Sequence, residues 1–168
     1  MFEFARKMGI EVLISEPPLE ALDLIERFCD EYNVSLAIHN HDQKASPNYW
    51  SPEAVMAVCR GRGPHIGVCA DMGYWMRSGI DPVAAVGTIG HRLFVVQMHD
   101  LHELSGDGHD VPWGTGAGRI REFLEEVHRQ GVKPIKFGLE YSYDWEDSMP
   151  EVEQSARFFD QVTLDLAK

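Results

Sequence analysis

Leu36-Ala37-Ile38-His39-Asn40-His41-Asp42 is the stretch that decides the fold. It opens as a short apolar run, the pattern of a buried strand. It closes on two histidines, an amide and a carboxylate. Side chains alternate along a strand, so His39 and His41 point to the same side. An apolar strand that delivers ligand-type residues at its C-terminal end is how a parallel α/β protein presents chemistry. Three further apolar runs end this way, at Cys69-Ala70-Asp71, at Gln97-Met98-His99-Asp100 and at Gly138-Leu139-Glu140.

Outward from that stretch, strand and helix alternate. Phe2 to Met8 reads as a helix closed by Gly9, and Ile10 to Ser15 as a strand that ends at Glu16. Pro17-Pro18 breaks the chain, and Leu19 to Tyr32 carries an apolar stripe three or four residues apart. Ser51-Pro52-Glu53 and Asp81-Pro82 each offer a cap followed by a proline at the first helical position. Strands are predicted over His65 to Ala70, Leu93 to Met98 and Pro134 to Leu139, with a helix from Arg119 to Gln130 and another after Pro150. Five strands and no hairpin signal predict parallel βαβ units in a single domain, 1–168. Right-handed crossovers then bring the polar strand ends to one face.

The composition narrows the partners. The 168 residues are 44% hydrophobic and 25% charged, with a net charge of −12, which repels nucleic acid and anionic membrane. No apolar run reaches the length of a membrane span and no signal-peptide core is present, so the cytoplasm is the expected compartment. Cys29, Cys59 and Cys69 lack CxxC spacing and read as buried apolar residues.

Carboxylates and histidines converging on one face suggest a divalent metal site. Asp71 and Glu140 lead, because each terminates an apolar strand. The next predicted helix starts ten residues after Asp71, which argues against a capping role. His39 and His41 suit a ligand, a base or a donor behind the ligands, and Gln97 and His99 raise the same question. The loop Gly106 to Gly116 is expected above this face, with His109, Asp110 and Trp113 either touching substrate or forming a polar loop around a packed Trp. No phosphate-loop or nucleophile motif is complete.

At these residues the sequence resembles the xylose isomerase-like superfamily of (β/α)8 TIM barrels, which includes sugar phosphate isomerases and epimerases, inosose dehydratases and endonuclease IV. The resemblance rests on LAIHNHD, CADMGYWMRSGIDP, VVQMHD, VPWGTG and the strand that ends in Glu140. Asp71, Gly73 and Gly79-Ile80-Asp81-Pro82 match the family pattern, whereas Tyr74 stands where the family often has His. The register sets His39 at a family Glu, Gln97 at a family His, His99 at a Lys and Glu140 at the final Glu. The implied metal ligands are His39, Asp71, Gln97 and Glu140, with Mn, Zn, Mg or Co as the ion. The implied catalytic groups are Glu140, His39, His41 and His99. Asn40, Tyr74, His109, Asp110 and Trp113 would bind a small sugar or polyol.

The resemblance implies an isomerase or epimerase that acts through a metal-stabilised enediolate. His39 in place of a carboxylate keeps a dehydratase or lyase on a keto-sugar or inosose as the alternative, and a non-catalytic sugar-binding half-barrel as another. Endonuclease chemistry fits least, because Tyr74 and Gln97 break its ligand set. The strands resemble the fourth to eighth of the barrel, about five βα units forming its C-terminal part. Two sheet edges would then be open, so a homo-oligomer that covers them, or low stability, is expected. A monodisperse, cooperatively melting monomer would count against this.

Overall fold

One parallel sheet runs through residues 1–168, all of which the computed structural model describes. Its strands lie in chain order: β1 (Val12–Ser15), β2 (Ser35–His39), β3 (Ile66–Asp71), β4 (Leu93–Met98) and β5 (Lys136–Leu139). Every pairing is parallel, so all five strands end on the same side. The helices are α1 (Phe2–Met8), α2 (Leu22–Tyr32), α3 (Pro52–Cys59), α4 (Met72–Arg77), α5 (Pro82–Ile89), α6 (Ile120–Arg129) and α7 (Met149–Leu166). The result is a half-barrel, with β1 and β5 each paired on one side only.

The two faces of the sheet differ. Leu36 and Ile38, Val68 and Ala70, and Val96 and Met98 pack with Leu22, Val55, Val86, Phe123 and Val162 of the helices in one apolar core. On the other face, Ala37, Cys69 and Val95 form a small separate cluster. That second face is the inside of the half-barrel. By alternation, His39, Asp71 and Gln97 follow these three residues up their strands. The register slips between Val68 and Cys69, and Phe94 lies where a Cβ on Gly67 would have to go. Gly67 is therefore required for β3 and β4 to close over the inner cluster.

Most helix starts follow the sequence signals. Ser51 accepts from the Ala54 amide at 3.2 Å and Asp81 from the Val83 amide at 2.9 Å, each ahead of a proline. The predicted Leu19–Tyr32 helix opens with a 3-10 turn, Leu19–Ala21, before α2. One helix was not predicted. α4 begins directly after β3, and Asp71 caps it by accepting from the Tyr74 amide at 3.0 Å. Asp71, expected not to cap a helix, is therefore the cap of one. The reason is burial: Met72, Gly73, Trp75 and Met76 are all buried, so α4 lacks the one-sided stripe that marks a helix in sequence. The three cysteines are free and buried. No helix is long and apolar enough to cross a membrane.

Candidate metal and sugar site

Five polar strand ends meet inside the half-barrel. Glu16 follows β1, His39 ends β2, Asp71 ends β3, His99 follows β4 and Glu140 follows β5. Asp71 is at the middle and is locked from behind. Its amide donates to Asn40 Oδ1 at 2.8 Å and its carbonyl accepts from Asn40 Nδ2 at 3.0 Å. One carboxylate oxygen caps α4, and the other lies 3.3 Å from His39 Nε2. Asn40, expected as a substrate-binding residue, is wholly buried and uses its side-chain amide on this clamp, bracing Asp71.

His99 is the second fixed point. Its Nδ1 lies 2.6 Å from Asp110 Oδ1, and Asp110 also accepts from the Ser142 amide at 3.0 Å and the Ser142 hydroxyl at 2.6 Å. Arg77 is 3.7 Å from Asp110 and is the one guanidinium that pairs with this group of acids. His99 Nε2 is buried and has no hydrogen-bond partner. It stands 3.8 Å from Asp71 Oδ1 and 3.8 Å from Glu140 Oε2. Donor atoms that share one ion at about 2.1 Å lie about 3–4 Å apart. One histidine with two carboxylates suits a borderline first-row ion such as Mn2+, Co2+ or Zn2+. The Nδ1–H bond to Asp110 leaves the Nε2 lone pair for a ligand. These residues fit a divalent ion.

Burial disfavours the charged form of His99, but Asp110, Glu140 and the Asp71 charge outweigh it and hold its pKa up, to about 9. Burial raises the Asp110 carboxyl, and His99 and Ser142 more than reverse this, leaving it below its usual value. A raised histidine stabilises the fold below its ordinary value of 6.5 and loses that contribution as pH climbs through about 9. The depressed Asp110 contributes above 3.8 and loses that as pH falls. Metal-free protein is therefore expected to melt roughly 5–10 °C lower at pH 10 than at pH 7. Thermal melts of Asp110→Asn, which removes the carboxylate facing His99, should show a clearly flatter profile. An equal slope in both proteins would refute the pairing.

The remaining predicted residues are dispersed. Gln97 accepts from the Cys69 thiol at 3.6 Å, one step below the strand tips, and His99 takes the place expected for it beside Asp71 and Glu140. Tyr74 faces His41, with ring centres 4.6 Å apart. His109 is sandwiched between His102 at 4.0 Å and Tyr143 at 4.3 Å. Asp110 is buried and turned to His99 and Ser142. Trp113 is 5% exposed, joins the helix-side core and meets Phe159 at 6.1 Å, the packed arrangement that was one of the two readings of this loop. Its indole is the largest apolar group in the loop, and burying it fastens the loop to α7.

Two strand-end residues to which the sequence assigns no role support the site. Glu16 ends its strand as the other four ligand-type residues do, and the Pro17-Pro18 break beside it hid the parallel. It pairs with Nδ1 of His39 at 3.2 Å and with Nδ1 of His41. Asp100 is buried and accepts from the amides of Gly114, Gly116 and Gly118 at 2.8, 3.0 and 2.8 Å. The Gly-x-Gly-x-Gly spacing after the strand end was the available signal.

Residues 18–162 match the family described as xylose isomerase-like TIM barrel, and the chain belongs to that family. A solved but uncharacterized protein from Parabacteroides distasonis is 34% identical, with TM-score 0.68, over 95% of this chain and 62% of its own. An L-ribulose 3-epimerase gives TM-score 0.79 at 13% identity, over 99% of this chain and 65% of its own. A probable 3-DHS dehydratase from Bacillus anthracis gives 0.71 at 11%, over 95% and 66%. Likeness at 11–13% identity shows the fold alone. A curated relative, the uncharacterized protein y4fM of Sinorhizobium fredii, is 28% identical over 95 residues, 56% of this chain and 30% of that protein. The chain thus spans about a third of that relative and under two thirds of the Parabacteroides distasonis protein.

Proposed function

We propose that this chain carries the chemistry of a divalent-metal-dependent sugar or sugar-phosphate isomerase or epimerase. The observation that carries the reading is the buried, unpartnered Nε2 of His99 between Asp71 and Glu140. A bound divalent ion would polarise the carbonyl and hydroxyl oxygens of a sugar. Asp71, His99 and Glu140 would hold it.

The protein's own groups do the rest. Asp110 keeps the His99 proton on Nδ1. The Glu140 side chain is 46% exposed, so one of its oxygens can face the mouth and take a proton from the carbon beside the carbonyl. Return of that proton to the neighbouring carbon, with the hydroxyl proton passing to the former carbonyl oxygen, interconverts aldose and ketose. Epimerisation needs a second proton carrier on the opposite side, and His41 stands there, across the sheet from Glu140. The Tyr74 hydroxyl, on the His41 side, is the substrate-orienting group. The same proton abstraction followed by departure of a neighbouring hydroxyl, protonated and released as water, would make the chain a dehydratase. Beyond the sugar, the open edges of β1 and β5 are the surfaces along which a second polypeptide or copy would pair.

The test is incubation of metal-replete protein with keto-sugars and their phosphates in D2O, followed by NMR and mass spectrometry. A stereoisomer or aldose of unchanged composition, carrying solvent deuterium beside the carbonyl, is expected. A product lighter by one water would establish the dehydratase instead. Binding without exchange across the panel would refute catalysis and leave a sugar-binding half-barrel.

A further inference from the structure

We propose a second cation site, formed by Glu16, His39 and His41 and separate from the one at Asp71, His99 and Glu140. The two groups share no residue. In this one, a carboxylate oxygen and two imidazole nitrogens lie within 4.8 Å of one another. His39 Nδ1 is 3.2 Å from Glu16 Oε1, and His41 Nδ1 meets the same oxygen. Two imidazoles and one carboxylate form the donor set of a borderline first-row ion, Zn2+, Fe2+, Co2+ or Mn2+. Mg2+ and Ca2+ prefer oxygen donors throughout.

Three further features point the same way. Glu16 forms no ion pair with a lysine or arginine; the two histidines are its only charged-type partners. His39 is oriented from behind, because its Nε2 lies 3.3 Å from Asp71 Oδ2. In the tautomer that donates Nε2–H to that carboxylate, the Nδ1 lone pair is free to bind an ion between Glu16 and His41, in place of the hydrogen bond that Nδ1 otherwise gives Glu16, the arrangement that second carboxylates impose on metal-binding histidines. The two imidazoles also stand edge to face, with centres 4.5 Å apart at 73°, and Tyr74 packs on the outer one. Their Nδ1 atoms therefore converge without the rings colliding.

The site opens on the mouth of the half-barrel: the side chains of Glu16 and His41 are 25% and 37% exposed. Three protein donors leave coordination positions for water or a substrate oxygen. Asp71 would then serve both centres, as a ligand in one and as the orienting partner of His39 in the other. An ion here also occupies the His41 lone pair. Glu140 would remain the one proton carrier, which favours aldose–ketose interconversion over epimerisation. That last consequence rests on the proposed function, whereas the site itself does not.

The experiment is equilibrium dialysis of chelator-stripped protein against Co2+, with metal counted by elemental analysis and coordination followed by the visible absorption of Co2+. Wild type is expected to bind two equivalents per chain. His41→Ala and the near-isosteric Glu16→Gln should each bind one, and the double variant His99→Ala, Glu140→Ala should also bind one. Adding His41→Ala to that double variant should remove the last. Metal-free melts matching wild type establish that Glu16→Gln is folded. One equivalent in wild type, or two retained by both His41→Ala and Glu16→Gln, would overturn the second site. Absence of sugar turnover with two equivalents bound would refute the proposed function and leave this site standing.

Discussion

Asp71→Asn is expected to leave the protein folded while abolishing divalent-ion binding at the proposed central site and lowering any turnover about 1,000-fold. Two roles meet in this carboxylate, and the substitution separates them. As a cap, Asp71 accepts one hydrogen bond from the Tyr74 amide at 3.0 Å. Asparagine caps helices as well as aspartate does, so its amide oxygen can keep that bond. The backbone clamp to Asn40 uses the amide and carbonyl of residue 71 and is indifferent to its side chain. As a charge, Asp71 faces His39 Nε2 at 3.3 Å and His99 Nε2 at 3.8 Å, and asparagine cannot supply that charge. Stability should therefore change by only about 1 kcal/mol, because the paired charge is lost but no cap is broken. Asp71→Ala should lose the same metal and, with the cap gone, about 1 kcal/mol more. Melts and metal content of the two variants decide the matter. Full metal occupancy in folded Asp71→Asn would remove Asp71 from the ligand set.

The largest effect on stability is expected from Asp100→Ala, at about 3–5 kcal/mol, or a fall in Tm of roughly 10 °C. The Asp100 carboxylate is buried, and the amides of Gly114, Gly116 and Gly118 converge on it. Burial raises its pKa and the three amides pull it partly back. Alanine would leave all three donors without a partner, at about 1–3 kcal/mol for each one still buried. The glycines are required by the same geometry. A Cβ at Gly116 or Gly118 would run into the carboxylate, and Gly114 has φ +85°. The loop tied down here also carries Asp110, so the damage should spread to His99. Limited proteolysis of Asp100→Ala is expected to cut within residues 101–118. A variant as stable and as resistant as wild type would mean that the loop is held by Trp113 and Ser155 alone.

The sequence by itself determined the alternation of strand and helix, the parallel sheet and the side on which chemistry collects. These follow from local patterns: apolar runs of strand length, cap-plus-proline helix starts, and polar residues at the ends of apolar strands. Even the departures at Tyr74 and Gln97 are legible as residue types. Which polar residues meet was decided only by the tertiary structure. Periodicity places His39, Gln97 and Asn40 on faces but gives no distances between strands. The register pairs Asp71 with Gln97, yet it is the His99 imidazole whose Nε2 lies 3.8 Å from both Asp71 and Glu140, while the Gln97 side chain bonds the Cys69 thiol. The fold also sets the partners of residues whose types suit a substrate contact: Asn40 behind Asp71, Asp110 behind His99, Trp113 beneath the loop. A buried polar group must find a partner, and which partner is in reach depends on packing between segments far apart in the chain. α4 escaped the sequence for the same reason, since a helix surrounded by protein needs no polar face to mark it.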